Sequence, residues 1–127
     1  MTSSVDPTRV DIDPVGPTFA VIRSLMHAAA GKRVLWLISP GMAPDDILDH
    51  YDAVIQSSVP AKCWVERVIR RSRSARIEFY GGGRIDLVSP DGGRGYEPDI
   101  LIIDGDYDYD DTTVAALKDR ATEVYAL

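Results

Sequence analysis

The stretch DILIIDGDYDYDD, residues 99–111, decides how the chain reads as a fold. Ile100 to Ile103 run without a polar break into Asp104. A strand wet on one face alternates apolar and polar residues, so an unbroken apolar run belongs to a strand covered on both faces. Such strands lie in parallel sheets flanked by helices, and ligands of those sheets bind at the carboxyl ends of the strands. Asp104 stands at one such end. An aspartate there also suits a solvated turn, which its side chain caps.

The pattern extends in both directions. RVLWLIS (33–39) is a second buried strand, and RVDI (9–12) a short one. Between them, Ala20, Ile22, Leu25, Met26 and Ala29 recur at helical spacing over Thr18–Ala30, with Pro17 in the first turn and Gly31 as the stop. PGMAPDD introduces a second helix through Ile47, Leu48, Tyr51, Val54 and Ile55, with Asp45 or Asp46 serving its first turn. Pro60 opens a third, reaching Ser72, with Trp64, Val65, Val68 and Ile69 as its apolar stripe. ARIEFY (75–80) and RIDLVS (84–89) alternate across GGG (81–83), a hairpin signal. A helix over Thr112–Arg120 and a strand in TEVYAL close the chain. The order implies one three-layer α/β domain over residues 9–127. It has a mostly parallel sheet, helices on both faces and an inserted antiparallel ribbon, behind a loose leader of residues 1–8.

Composition bounds the function. The 127 residues, 45% hydrophobic, suffice for one core. A net charge of −6 argues against nucleic-acid binding over the whole surface, yet Arg67, Arg70, Arg71, Arg73 and Arg76 form a local basic run. Cys63 is the only cysteine, which excludes an internal disulfide, and two distant histidines, His27 and His50, argue against a structural zinc site; no metal site is expected. No apolar run nears the roughly 20 residues of a membrane span, and the first residues lack a signal pattern. A reduced, cytoplasmic setting is expected.

Two longer segments carry a family resemblance. TFAVIRSLMHAAAGKRVLWLISP resembles the helix and second strand that follow a phosphate-binding loop. ARIEFYGGGRIDLVSPDGGRGYEPDILIIDG resembles the ribbon, glycine-arginine loop and Walker B strand of phage terminase large subunits and superfamily-two helicases. The resemblance covers roughly residues 10–126 and implies a RecA-like P-loop core, here shortened to one unit, with a phage or prophage origin. Its catalytic positions are altered. A Walker A loop needs G-x-x-x-x-G-K-[ST], in which backbone N–H groups and a lysine cradle phosphates. The matching residues are DIDPVGPT (11–18): Gly16 and Thr18 fit, Asp11 replaces the first glycine and Pro17 the lysine. Proline removes both the charge that reaches the β- and γ-phosphates and a backbone donor. Asp104 keeps the magnesium-positioning carboxylate, but Gly105 stands where the family has its water-activating glutamate.

The expectation is therefore a degenerate, non-catalytic ATPase scaffold with no cofactor, serving assembly through a protein partner or self-association. Two other readings stay open. One is a residual Mg-ATP binder or weak NTPase using Gly16, Thr18 and Asp104. The other is a DNA-binding accessory protein using Arg67, Arg70, Arg71 and Arg73. The aspartates 104–111 miss the EF-hand calcium spacing and suit an acidic turn at a helix start, while Tyr107 and Tyr109 among them offer a partner patch.

Overall fold

A computed structural model describes residues 10–12, 17–39, 42–71, 73–89, 95–104 and 112–127. The elements run β1 (Val10–Ile12), α1 (Pro17–Ala29), β2 (Arg33–Leu37), α2 (Pro44–Gln56), α3 (Val59–Trp64), β3 (Val65–Arg70), β4 (Ser74–Phe79), β5 (Arg84–Val88), β6 (Ile100–Ile103), α4 (Thr112–Arg120) and β7 (Glu123–Ala126). Among the described residues, one sheet holds seven strands in the order β1-β7-β6-β2-β5-β4-β3. From β1 to β5 every neighbour is parallel, while β4 pairs antiparallel with both β5 and β3. The architecture is mixed α/β with a mostly parallel sheet, as expected. The 1–8 leader lies outside the described residues.

Chain direction explains the layering. The β1–α1–β2 connection crosses the sheet one way and β6–α4–β7 returns the other way. Right-handed crossovers then place α1 and α4 on opposite faces. The core divides accordingly. Val34, Trp36, Ile100 and Ile102 pack with α1 and α2, whereas Leu35, Leu37, Leu101 and Ile103 pack with Val114 and Leu117 of α4. The two unbroken apolar runs are unbroken because each strand feeds both layers.

Two readings of the sequence need correction. First, the helix expected over Pro60–Ser72 stops at Trp64, and Val65–Arg70 is a strand. Val65, Val68 and Ile69 imitate helical spacing, but β-branched side chains lose χ1 freedom in a helix and suit a pleated surface. The antiparallel partner β4 supplies what the local signal lacks. Second, α1 buries Ala20, Val21, Ser24, Leu25 and Ala28, while Ile22 and Met26, expected inside, are exposed together with Phe19. Small residues on the inner face let this helix sit close to the sheet.

That closeness is sharpest at the hairpin turn. Phe79 N–H donates to Gly83 O at 3.0 Å, and the turn packs beneath the last residues of α1. A Cβ at Gly83 would lie 1.9 Å from Ala28 O and 2.9 Å from Lys32 O, both backbone atoms. Gly82, by contrast, has φ +91° and open space around it. Gly83→Ala is expected to cost about 3 kcal/mol through forced backbone movement, and Gly82→Ala only about 1 kcal/mol, for its left-handed backbone. Urea unfolding of the two variants measures the difference.

Candidate functional site

In an open α/β sheet the ligand crevice lies at the carboxyl ends of strands whose onward connections leave in opposite directions. Here β6 leads through α4 to β7 on one side, and its neighbour β2 leads through α2 and α3 to β3 on the other. The switch point therefore falls between the ends of β6 and β2, and Asp104 stands there. Asp104 N–H donates to Leu37 O at 3.0 Å, which fixes its place beside β2.

Strand alternation sets where its side chain points. Ile100 and Ile102 face the α1/α2 layer, so Asp104 continues that row. Its carboxylate accepts a hydrogen bond from the Trp36 indole, Nε1 to Oδ2 at 3.3 Å. Trp36 is wholly buried and meets Tyr51 of α2 edge-on, with ring centroids 5.7 Å apart. Ser24 Oγ donates to Val21 O at 2.9 Å and lies 2.6 Å from the Tyr51 hydroxyl, which therefore donates to it. Burial pushes the Tyr51 phenol well above its ordinary pKa, so it stays a neutral donor. The carboxylate proposed from sequence as a magnesium ligand thus ends a hydrogen-bonded and stacked path through β2, α2 and α1.

The other residues that the sequence suggested for a phosphate site are described in part. Thr18 is exposed in the first turn of α1, and β1, which would carry the loop, lies two strands from β6, about 10 Å away. Gly16, Gly105, Tyr107 and Tyr109 lie outside the described residues. Among the described residues, no group of three His, Cys, Asp or Glu side chains is placed to hold a metal ion. No helix among them is long and apolar enough to cross a membrane.

The arginines do not form one stripe. Arg67 and Arg70 sit on β3 with odd and even parity, so they project from opposite faces of the sheet. Arg67 binds Glu78 and holds that carboxyl below its usual range, while Arg70 binds Asp45 of α2 at 2.8 Å. Arg71 and Arg73 flank the β3–β4 turn. Sequence reasoning missed Asp86 altogether. It is almost fully buried, and Arg76 Nε at 2.6 Å and Arg84 Nε at 3.0 Å both bind it. The alternation in RIDLVS was the available signal, since it puts Asp86 on β5 beside Arg76 of β4.

A second titratable group lies at the opposite, amino end of the sheet. Tyr125 OH donates to Glu123 Oε2 at 2.7 Å, and Arg23 Nε reaches the same hydroxyl at 3.5 Å. His27 Nε2 is 3.1 Å from Glu123 Oε2 but out of line, so this buried nitrogen has no hydrogen-bond partner among the described residues. Burial lowers the His27 pKa, Glu123 opposes this, and Arg23 and Lys32 reinforce it.

No protein-family model matches the chain, and no curated protein sequence matches it.

Two predictions follow from this geometry. Asp104→Ala strands the buried indole N–H and should cost about 1–3 kcal/mol, whereas Asp104→Asn keeps an acceptor and should cost less, as read by denaturant midpoints. His27 binds its proton more weakly when folded than its ordinary value of 6.5. Its contribution is thus complete above that value and is lost as pH falls toward the lower folded pKa. The melting temperature should drop through that window in the natural protein, and His27→Gln should flatten this part of the profile.

Proposed function

We propose that this protein is a non-catalytic interaction or assembly module built on a degenerate P-loop-type α/β scaffold. The observation that carries the reading is the Trp36–Asp104 hydrogen bond at the switch point. The carboxylate in the magnesium-holding position already serves as acceptor for a buried donor and so has a structural use independent of any nucleotide. The sequence adds to this: Pro17 and Asp11 occupy positions where a phosphate loop needs a lysine and a glycine, and both changes oppose an anion. The strand order also supports a P-loop-type frame, because β1 and β6 both run parallel to β7 and so present their carboxyl ends, Asp104 among them, at one end of the sheet. Exposed Phe19, Ile22 and Met26 on α1, with Trp64 and Tyr80 at the far edge, give the module apolar surface for partners.

Thermal unfolding with and without millimolar Mg-ATP tests the reading. A one-site ligand at about 100 times its dissociation constant adds about 2.7 kcal/mol, several degrees for a domain of this size. No shift is expected. A shift of that size, lost in Asp104→Ala, would instead make Asp104 a working magnesium ligand.

A further inference from the structure

Among the described residues, β3 is the far edge of the sheet, with a neighbouring strand on one side only. In an antiparallel ladder, residues whose N–H and C=O groups face the partner alternate with residues whose groups face away. Arg71 N–H donates to Ser74 O at 2.9 Å, so Arg71, Ile69 and Arg67 turn their backbone groups toward β4. Val68 and Arg70 must then turn theirs outward, where β3 has no neighbouring strand among the described residues. Unpaired groups of this kind are a template for another strand.

We propose that β3 pairs antiparallel with β3 of a second copy about a two-fold axis at Val68, joining the two sheets into one. The sequence of the strand is complementary to itself in that register. With Val68 opposite Val68 of the second copy, Glu66 stands opposite Arg70 at both ends of the pair. A strand from an unrelated protein would meet the same outward groups, but only a second copy sets these two opposite charges against each other twice. Arg70 can turn to this use, because its pair with Asp45 joins side chains that are each more than half exposed. The apolar surface fits as well. Val68 is 43% exposed and would sit on the axis against its own copy, while Trp64 and Tyr80, 39% and 70% exposed, are adjacent through the Tyr80 N–H to Trp64 O bond. The register slip between Val65 and Arg67 makes Glu66 a bulge, so the paired segment is short, from Glu66 to Arg70.

This pairing rests on the interaction-module reading only for its purpose, and the Mg-ATP measurement tests that reading separately. Sedimentation equilibrium across the micromolar range, with circular dichroism as the check on folding, tests the pairing itself. The natural protein should be a dimer. Val68→Pro deletes an outward N–H that β4 does not use, which an edge strand accommodates, and should weaken the dimer. Should that variant unfold, the charge variants decide, because Glu66 and Arg70 are both exposed. Glu66→Lys and Arg70→Glu should each raise the dissociation constant roughly tenfold by setting like charges opposite twice. The double exchange, E66K with R70E, should restore it. A natural protein that stays monomeric overturns the proposal, as does a dimer that neither folded Val68→Pro nor Glu66→Lys weakens.

Discussion

Trp36 is the side chain on which the rest of the arrangement leans. It lies in the second strand, which has neighbours on both sides, and it is too large to be accommodated unless α1 and α2 both close over it. Its indole N–H, once buried, needs an acceptor, since an orphaned donor costs about as much as the bond it lacks. Asp104 supplies that acceptor from the end of β6. Tyr51 packs on the ring and hands its own hydroxyl to Ser24, so α1 is tied to α2 by a buried hydrogen bond as well as by apolar contact. Sheet, both helices of one layer and the end of β6 are thereby coupled. A change at Asp104 is therefore felt in the core.

Much of the frame was legible before any coordinates, and the reasons are local. Ile100–Ile103 and Val34–Leu37 announce two-sided burial by themselves, and the GGG turn between alternating runs announces a hairpin. Where legibility failed, the deciding partner lay outside the segment being read. VERVIR reads as helix or strand with equal ease until β4 is seen beside it. The inner face of α1 was misjudged because two stripes share its helical spacing, and the one with Val21, Ser24 and Ala28 is the buried one. The helix instead presents alanine and serine inward so that the hairpin glycine can pass beneath Ala28. At the site, Asp104 could be picked out by position, but its tryptophan partner is 68 residues away and nothing in either segment links them.

The arginines show how the same misreading propagates into function. A helix places residues three and four apart on one face, so the run around Arg67–Arg73 looks like a basic stripe. On a strand the same residues divide between two faces, and each face offers its own carboxylate: Glu78 for Arg67, Asp45 for Arg70. Arg76 is likewise drawn inward by Asp86, with Arg84 as a second cation on the same group. One buried carboxylate held by two guanidinium groups satisfies its oxygens and leaves the ribbon cross-braced between β4 and β5.

The two edges of the sheet differ in a way that bears on association. β1 contributes three residues, too short to template much pairing, and shortness is one of the ways natural sheets protect an edge. β3 contributes six, with no proline and no lysine, and its single protective device is the bulge at Glu66. A bulge bends and twists the strand locally, so it limits how far pairing can run without preventing it beyond that point. The charges that remain, Glu66 and Arg70, face their own kind in the registers centred on Glu66 or Arg70 and face each other in the one centred on Val68. An edge that is closed to continuous stacking but open to one register favours a finite pair over a fibre, because the two-fold arrangement consumes both copies of the edge and leaves only the short β1 strands outside.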